Sequence, residues 1–210
     1  MSITLEQQRD NRKEYLRLLS GAAHSDVPNC FYDYLEGTVF WVAPASTKYH
    51  ENYAGGLVVH SLNVYRYLSD LNEHHELGLS LKSVVKVSLL HDLCKTNFYR
   101  LAPKNKKLDD GRWVRVQEYT VNDDFPIGHG EKSLAIALRH GIILSDNEIL
   151  AIRWHMGAFS QGMDYMTGQT LSSAMQNNRL VVALQVAALM SVYLNYKQGG
   201  LPEEASVWMQ

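Results

Sequence analysis

The apolar run at residues 81–93, LKSVVKVSLLHDL, constrains this 210-residue chain more than any other stretch. Its spacing predicts a buried helix, yet it closes on the adjacent pair His91 and Asp92. A carboxylate and an imidazole in the wall of a core are costly unless something compensates them. A divalent cation is the usual compensation, because neutral imidazole and carboxylate are standard nitrogen and oxygen ligands. Three more histidines stand beside helix-like segments: His60 ends GGLVVH, His129 sits in GHGEKS and His155 in RWHMG. These residues look like parts of one metal centre, so the fold has to bring distant helices together.

The rest of the chain reads as helix after helix with one hairpin. Thr4 caps a first helix, with Gln7 three residues on and Leu5, Leu16 and Leu19 on its apolar side. Asp26 and Pro28 open a second helix through Leu35, stopped at Gly37. TVFWVAPAS is apolar and β-branched and predicts a short extended segment. Gly55 and Gly56 precede a long helix over 57–74, whose register turns His60 inward with Leu57, Val64, Tyr67 and Leu71. Ser80 caps the 81–93 helix. The periodicity changes between Phe98 and Val121, and Asp109, Asp110 and Gly111 mark the turn of an antiparallel hairpin. Helices follow over 130–140 and from the Ser145/Glu148 capping box to His155. Residues 157–170 read as a loop, and 179–197 as an apolar final helix. The expected fold class is all-α: a helical bundle with one small β-hairpin insertion at about residues 98–122, in a single domain over 1–210.

Composition excludes several classes. Hydrophobic residues make up 46% and charged residues 20%, an ordinary globular balance. The formal charge is −2, so no global basic field holds long nucleic acid. Two cysteines, Cys30 and Cys94, are too few for a disulfide framework. With Cys94 inside the proposed site, a reduced thiol and a cytoplasmic location are expected. The N-terminus is polar and amphipathic and reads as lacking a signal-peptide core, and no apolar stretch predicts a membrane span or membrane partner.

A lone histidine near an apolar face is commonly hydrogen-bonded structure, and His24, His74, His75 and His140 are read that way. His60, His91, Asp92, His129 and His155 differ by their company. The glycines flanking His129, Gly128 and Gly130, free the backbone for close approach.

The order His60, His91-Asp92, His129, His155 on a helical chain resembles the HD-domain metal-dependent phosphohydrolases. The resemblance runs from about Gly55 to Tyr193. GGLVVHSLNV and LLHDLCKTNFY look especially like the HD hydrolases grouped with bacterial exonucleases and small phosphohydrolases. It implies an HD-domain bundle, divalent transition metals and hydrolysis of a phosphate ester or anhydride. His129 and His155 are similar to the ligands of two-metal members. One metal would then take His60, His91 and Asp92, and a second Asp92, His129 and His155. Manganese, iron, nickel, cobalt and zinc all suit such ligands. Asp92 and Lys95 are the expected catalytic residues, since related two-metal members place a lysine there against the phosphate. His50, in KYHENYAGG, stands where similar proteins carry polar substrate contacts. Arg153 is a further substrate-binding candidate, although a helix turns it away from His155.

The family pattern ends with an aspartate in the last helix. Here Ala188 stands at that place and Gln185 where a histidine is often found, and an alanine methyl ligates nothing. Three explanations remain: the centre works with fewer ligands, a carboxylate such as Asp164 swings in, or catalysis has been lost. Gln185 offers only a weak neutral carbonyl. The hairpin interleaves Lys104, Lys106, Lys107, Arg112 and Arg115 with Tyr99, Trp113 and Tyr119, a pattern able to hold phosphates and stack bases. The expected partner is a nucleotide or a short single-stranded nucleic-acid end. The alternatives are a catalytically impaired HD-fold module that binds a nucleotide without turning it over, and a helical interaction protein with structural histidines.

Overall fold

The computed structural model describes residues 3–159 and 164–194. Helix α1 (Leu5–Ala23) starts at a reciprocal capping box between Thr4 and Gln7. Its inward stripe is Tyr15, Leu18, Leu19 and Ala23, whereas Leu5 is exposed, because the first turn runs past the end of the core. Helix α2 (Asn29–Glu36) begins after Pro28 and ends at Gly37. Asp26 belongs instead to a short 3₁₀ turn at His24–Asp26. The segment expected to be extended forms a 3₁₀ turn at Phe40–Val42, which folds Phe40 under Tyr15 and Trp41.

Three helices carry the centre of the fold. α3 (Gly56–His74) packs against both α4 (Leu81–Leu90) and α8 (Arg179–Tyr193). α4 is capped by Ser80 and buried over Val84–Leu90 on nearly every side, which explains its lack of a polar stripe. It stops at Leu90, short of residue 93. His91 is its C-cap, Asp92 leaves helical geometry, and Leu93–Lys95 form a 3₁₀ turn. α5 (His129–Arg139) and α6 (Asp146–Trp154) cross at Gly130, where a Cβ would collide with the carbonyls of Ile152 and Arg153. α6 starts at the expected Ser145/Glu148 box.

Strands β1 (Tyr99–Lys107) and β2 (Trp113–Val121) pair antiparallel, from Tyr99 opposite Val121 to Lys107 opposite Trp113. Part of the stretch expected as a loop is helix α7 (Tyr165–Asn177), because Asp164 caps it by accepting from the Thr167 amide at 2.7 Å. Residues 160–163, and the end of the final helix expected over 195–197, lie outside the described residues. The described chain is thus mostly helical with one small two-stranded sheet, and none of its helices is long and apolar enough to cross a membrane.

Candidate metal centre

Breaking the helix at Leu90 is what presents the site. His91 and Asp92 emerge from the buried end of α4, and the 3₁₀ turn then brings Lys95 back to Asp92. The Cys94 amide donates to Ser133 Oγ at 3.0 Å, tying that turn to α5. α3 supplies His60 from one side, and the α5–α6 crossing supplies His129 and His155 from the other. His60, His91, Asp92, Lys95 and His155 are all buried.

Asp92 is the hub. Its Oδ2 lies 3.4 Å from His60 Nε2, 3.4 Å from His91 Nε2 and 2.7 Å from Lys95 Nζ. Its Oδ1 lies 3.6 Å from His155 Nε2. The two nitrogens of His60 and His91 face each other at 3.3 Å. Asp92, Cys94 and His129 offer ligand atoms within 4.8 Å of one another on the far side. All five residues of the expected ligand set therefore converge.

The ring orientations carry chemical information. A carbonyl oxygen only accepts, so His91 donates Nδ1–H to Ser88 O at 2.8 Å, and His155 donates Nδ1–H to Ile152 O at 2.7 Å. In the neutral ring that leaves Nε2 as the lone-pair atom, aimed at Asp92. His155 Nε2 is buried without a hydrogen-bond partner. His60 Nδ1 meets Ser191 Oγ at 3.1 Å. Ligand atoms 3.3 to 3.4 Å apart match the edges of a coordination polyhedron with bonds of about 2 Å. The residues present therefore fit a divalent cation.

Electrostatics agree with the geometry. Burial holds His60 well below its ordinary value, lowers His155, and pushes His129 and His50 down to about 4. Burial alone would raise the Asp92 carboxyl, but Lys95 with the imidazoles beside it holds it well below the carboxylate range. Burial alone would lower Lys95, but the Asp92 carboxylate at 2.7 Å outweighs it and keeps the ammonium charged. Burial pushes the Cys94 thiol up to about 12, so it stays protonated, and both cysteines are free.

A cavity of about 750 Å³ opens over this cluster. Its floor is His60, His91, Asp92, Lys95, His129 and His155, and its walls include Tyr49, Tyr99, Met156, Phe159, Leu189 and Tyr193. His50 lines it too, its ring 4.9 Å from His60 and both nitrogens unpartnered. Arg153 is not brought in: it pairs with Glu131 at 2.7 Å and stacks on Trp154, because its place on α6 points away from His155. Asp164 is occupied in capping α7. Ala188 and Gln185 both face the cavity, and Gln185 Oε1 is buried without a partner. On the hairpin, Lys104 pairs with Glu118 and Arg112 with Asp110, while Trp113 is exposed. His24, His74, His75 and His140 lie outside the cavity lining. His140 stacks on Tyr34.

Sequence reasoning missed two contributors. Ser191, one turn beyond Ala188, reaches His60, and only the helical register of α8 against α3 could have signalled it. Glu51 lies with His50 and His60 in a third group able to hold a metal. Its signal was adjacency to His50. No protein-family model, curated protein or solved structure matches the chain significantly. The likeness to HD hydrolases rests on the residues themselves.

Proposed function

We propose that this chain is a metal-dependent phosphohydrolase of the HD type, acting on a nucleotide or a short oligonucleotide end. The observation that carries the reading is the convergence of three imidazole Nε2 atoms and one carboxylate, all buried, at the floor of the cavity. His60, His91 and Asp92 would hold one divalent cation, and Asp92, His129 and His155 a second. A bound cation supplies Lewis acidity and an activated water.

The chain's own residues supply the rest. Asp92 Oδ2 pairs with the Lys95 ammonium at 2.7 Å and stands 3.4 Å from the Nε2 atoms of His60 and His91. Lys95 keeps a full positive charge at the cavity floor, where it complements the equatorial oxygens of a phosphoryl group. Tyr49, Phe159 and Tyr193 are largely exposed aromatics at the mouth, able to stack a base while the floor takes its phosphate.

Ala188 favours a second reading, a module that binds a nucleotide without hydrolysing it, since the last-helix carboxylate is replaced by a methyl group. Turnover of bis(p-nitrophenyl) phosphate with Mn²⁺, Co²⁺ or Zn²⁺ separates the two. The hydrolase reading expects turnover that is lost in Asp92→Ala. Metal uptake without turnover in the native chain, with turnover appearing in Ala188→Asp, would establish the binder.

A further inference from the structure

Ala188 leaves the centre with one carboxylate among its expected ligands; the polar side chains that the described part of α8 brings to it are Gln185, in the cavity lining, and Ser191, at His60 Nδ1. The opposite wall holds another. The Glu51 side chain is only 9% exposed, and its Oε2 lies 4.0 Å from His60 Nδ1. That oxygen is buried with no hydrogen-bond partner among the described residues. Asn63 bonds to the same carboxyl group. His50, Glu51 and His60 present ligand atoms within 4.8 Å of one another.

The loop is built around this placement. Glu51 has φ +40, the left-handed region, which costs a non-glycine residue on the order of 1 kcal/mol or more. Its carbonyl accepts from the Ala45 amide at 3.0 Å, and the His50 carbonyl accepts from Ser46 Oγ at 2.7 Å. The same Glu51 carbonyl presses on Gly56, where any Cβ would clash. A strained backbone, a glycine platform and a buried half-satisfied carboxyl are each destabilising to an isolated fold. Together they put one carboxyl group behind the His60 imidazole.

Resting on the metal-centre reading above, we propose that Glu51 is the second carboxylate of the centre, standing on the Nδ1 side of His60 as Asp92 stands on its Nε2 side. It acts through His60 as a positioning residue. With Ser191 it fixes the ring so that Nε2 faces the cation, and it adds the negative charge that Ala188 does not supply. A carboxylate behind a ligand histidine raises the basicity of the ring, and losing such a partner typically weakens metal binding 10- to 100-fold.

The test is Co²⁺ titration of the full chain, followed by calorimetry and the visible spectrum of bound Co²⁺, alongside thermal unfolding of the metal-free protein. Glu51→Gln keeps the shape of the side chain, and Glu51→Gly relieves the left-handed backbone while removing the carboxyl. Both should bind Co²⁺ about 10- to 100-fold more weakly than the native chain. Metal-free Glu51→Gly should melt no lower than the native chain. Affinity within threefold of native in either folded variant overturns the role of Glu51 alone. A native chain that takes up no Co²⁺ overturns the metal centre and this role with it.

Discussion

Two of the buried lysines in this molecule, Lys86 and Lys95, meet carboxylates in opposite ways. Lys86, on α4, spends its ammonium on Asp26 Oδ2 at 2.7 Å, Glu148 Oε2 at 2.8 Å and Ile143 O at 3.0 Å. Three N–H donors meet three acceptors, and Glu148 also closes the cap of α6. Lys95, nine residues later, has one carboxylate at 2.7 Å, and that carboxylate is crowded by imidazole nitrogens, one of which lacks any partner. Lys86 does not line the cavity, whereas Lys95 is part of its floor. A closed set of buried charges is architecture. An open set of the same residue types, just beyond the same helix, is able to hold a cation.

The comparison breaks most sharply by deletion. Asp92→Ala or His91→Ala should abolish metal binding, read as metal stoichiometry by elemental analysis. Unchanged stoichiometry in both refutes the assignment. Lys86→Met should act in the reverse sense: it leaves buried Glu148 without its cation and Asp26 with only Lys82 and Ser25, costing about 3–5 kcal/mol of folding stability in denaturant titration. Its metal affinity should stay native. A Lys86→Met chain that folds as well as native but loses metal would reverse the two roles.

A smaller effect sharpens the open side. Ala188→Asp places a carboxyl group at the cavity wall and should raise Co²⁺ affinity by on the order of tenfold, the scale of one tuned ligand contact. No change would mean that Glu51 and Asp92 already meet the charge requirement.

The smallest effect is in pH. His50 and His129, held at about 4, and His60 and His155, also lowered, stay neutral in the folded chain. The unfolded chain takes up those protons near 6.5, so their stabilisation is present above about 6.5 and lost as pH falls toward 4. Glu51 runs the other way: pushed up to about 7 by burial, its contribution is present below about 4.5 and lost as pH rises to 7. Four imidazoles outweigh one carboxyl, and the Tm of the metal-free protein should fall from pH 7 to pH 5. A level Tm over that range contradicts buried neutral rings.

Much of this was legible in the chain. Capping boxes at Thr4 and Ser145 and the hairpin turn at residues 109–111 are local signals, and they held because the physics that sets them is local. His60, His91, Asp92, His129 and His155 converge as their sequence settings implied. What escaped depended on tertiary register. Arg153 turns outward to Glu131, and Asp164 is spent on the cap of α7. Glu51 enters only because a loop with a left-handed residue folds back onto Gly56, and nothing in residues 45–56 announces that fold by periodicity. The hairpin's basic residues were legible, but their pairing with Glu118 and Asp110 follows from strand register and the turn.

Anomalous diffraction from crystals grown with Mn²⁺ tests the central claim most directly. A peak bounded by His60 Nε2, His91 Nε2 and Asp92 Oδ2 is the expected result. A map with no peak in that pocket, at a Mn²⁺ concentration that fills other sites on the protein, would contradict it.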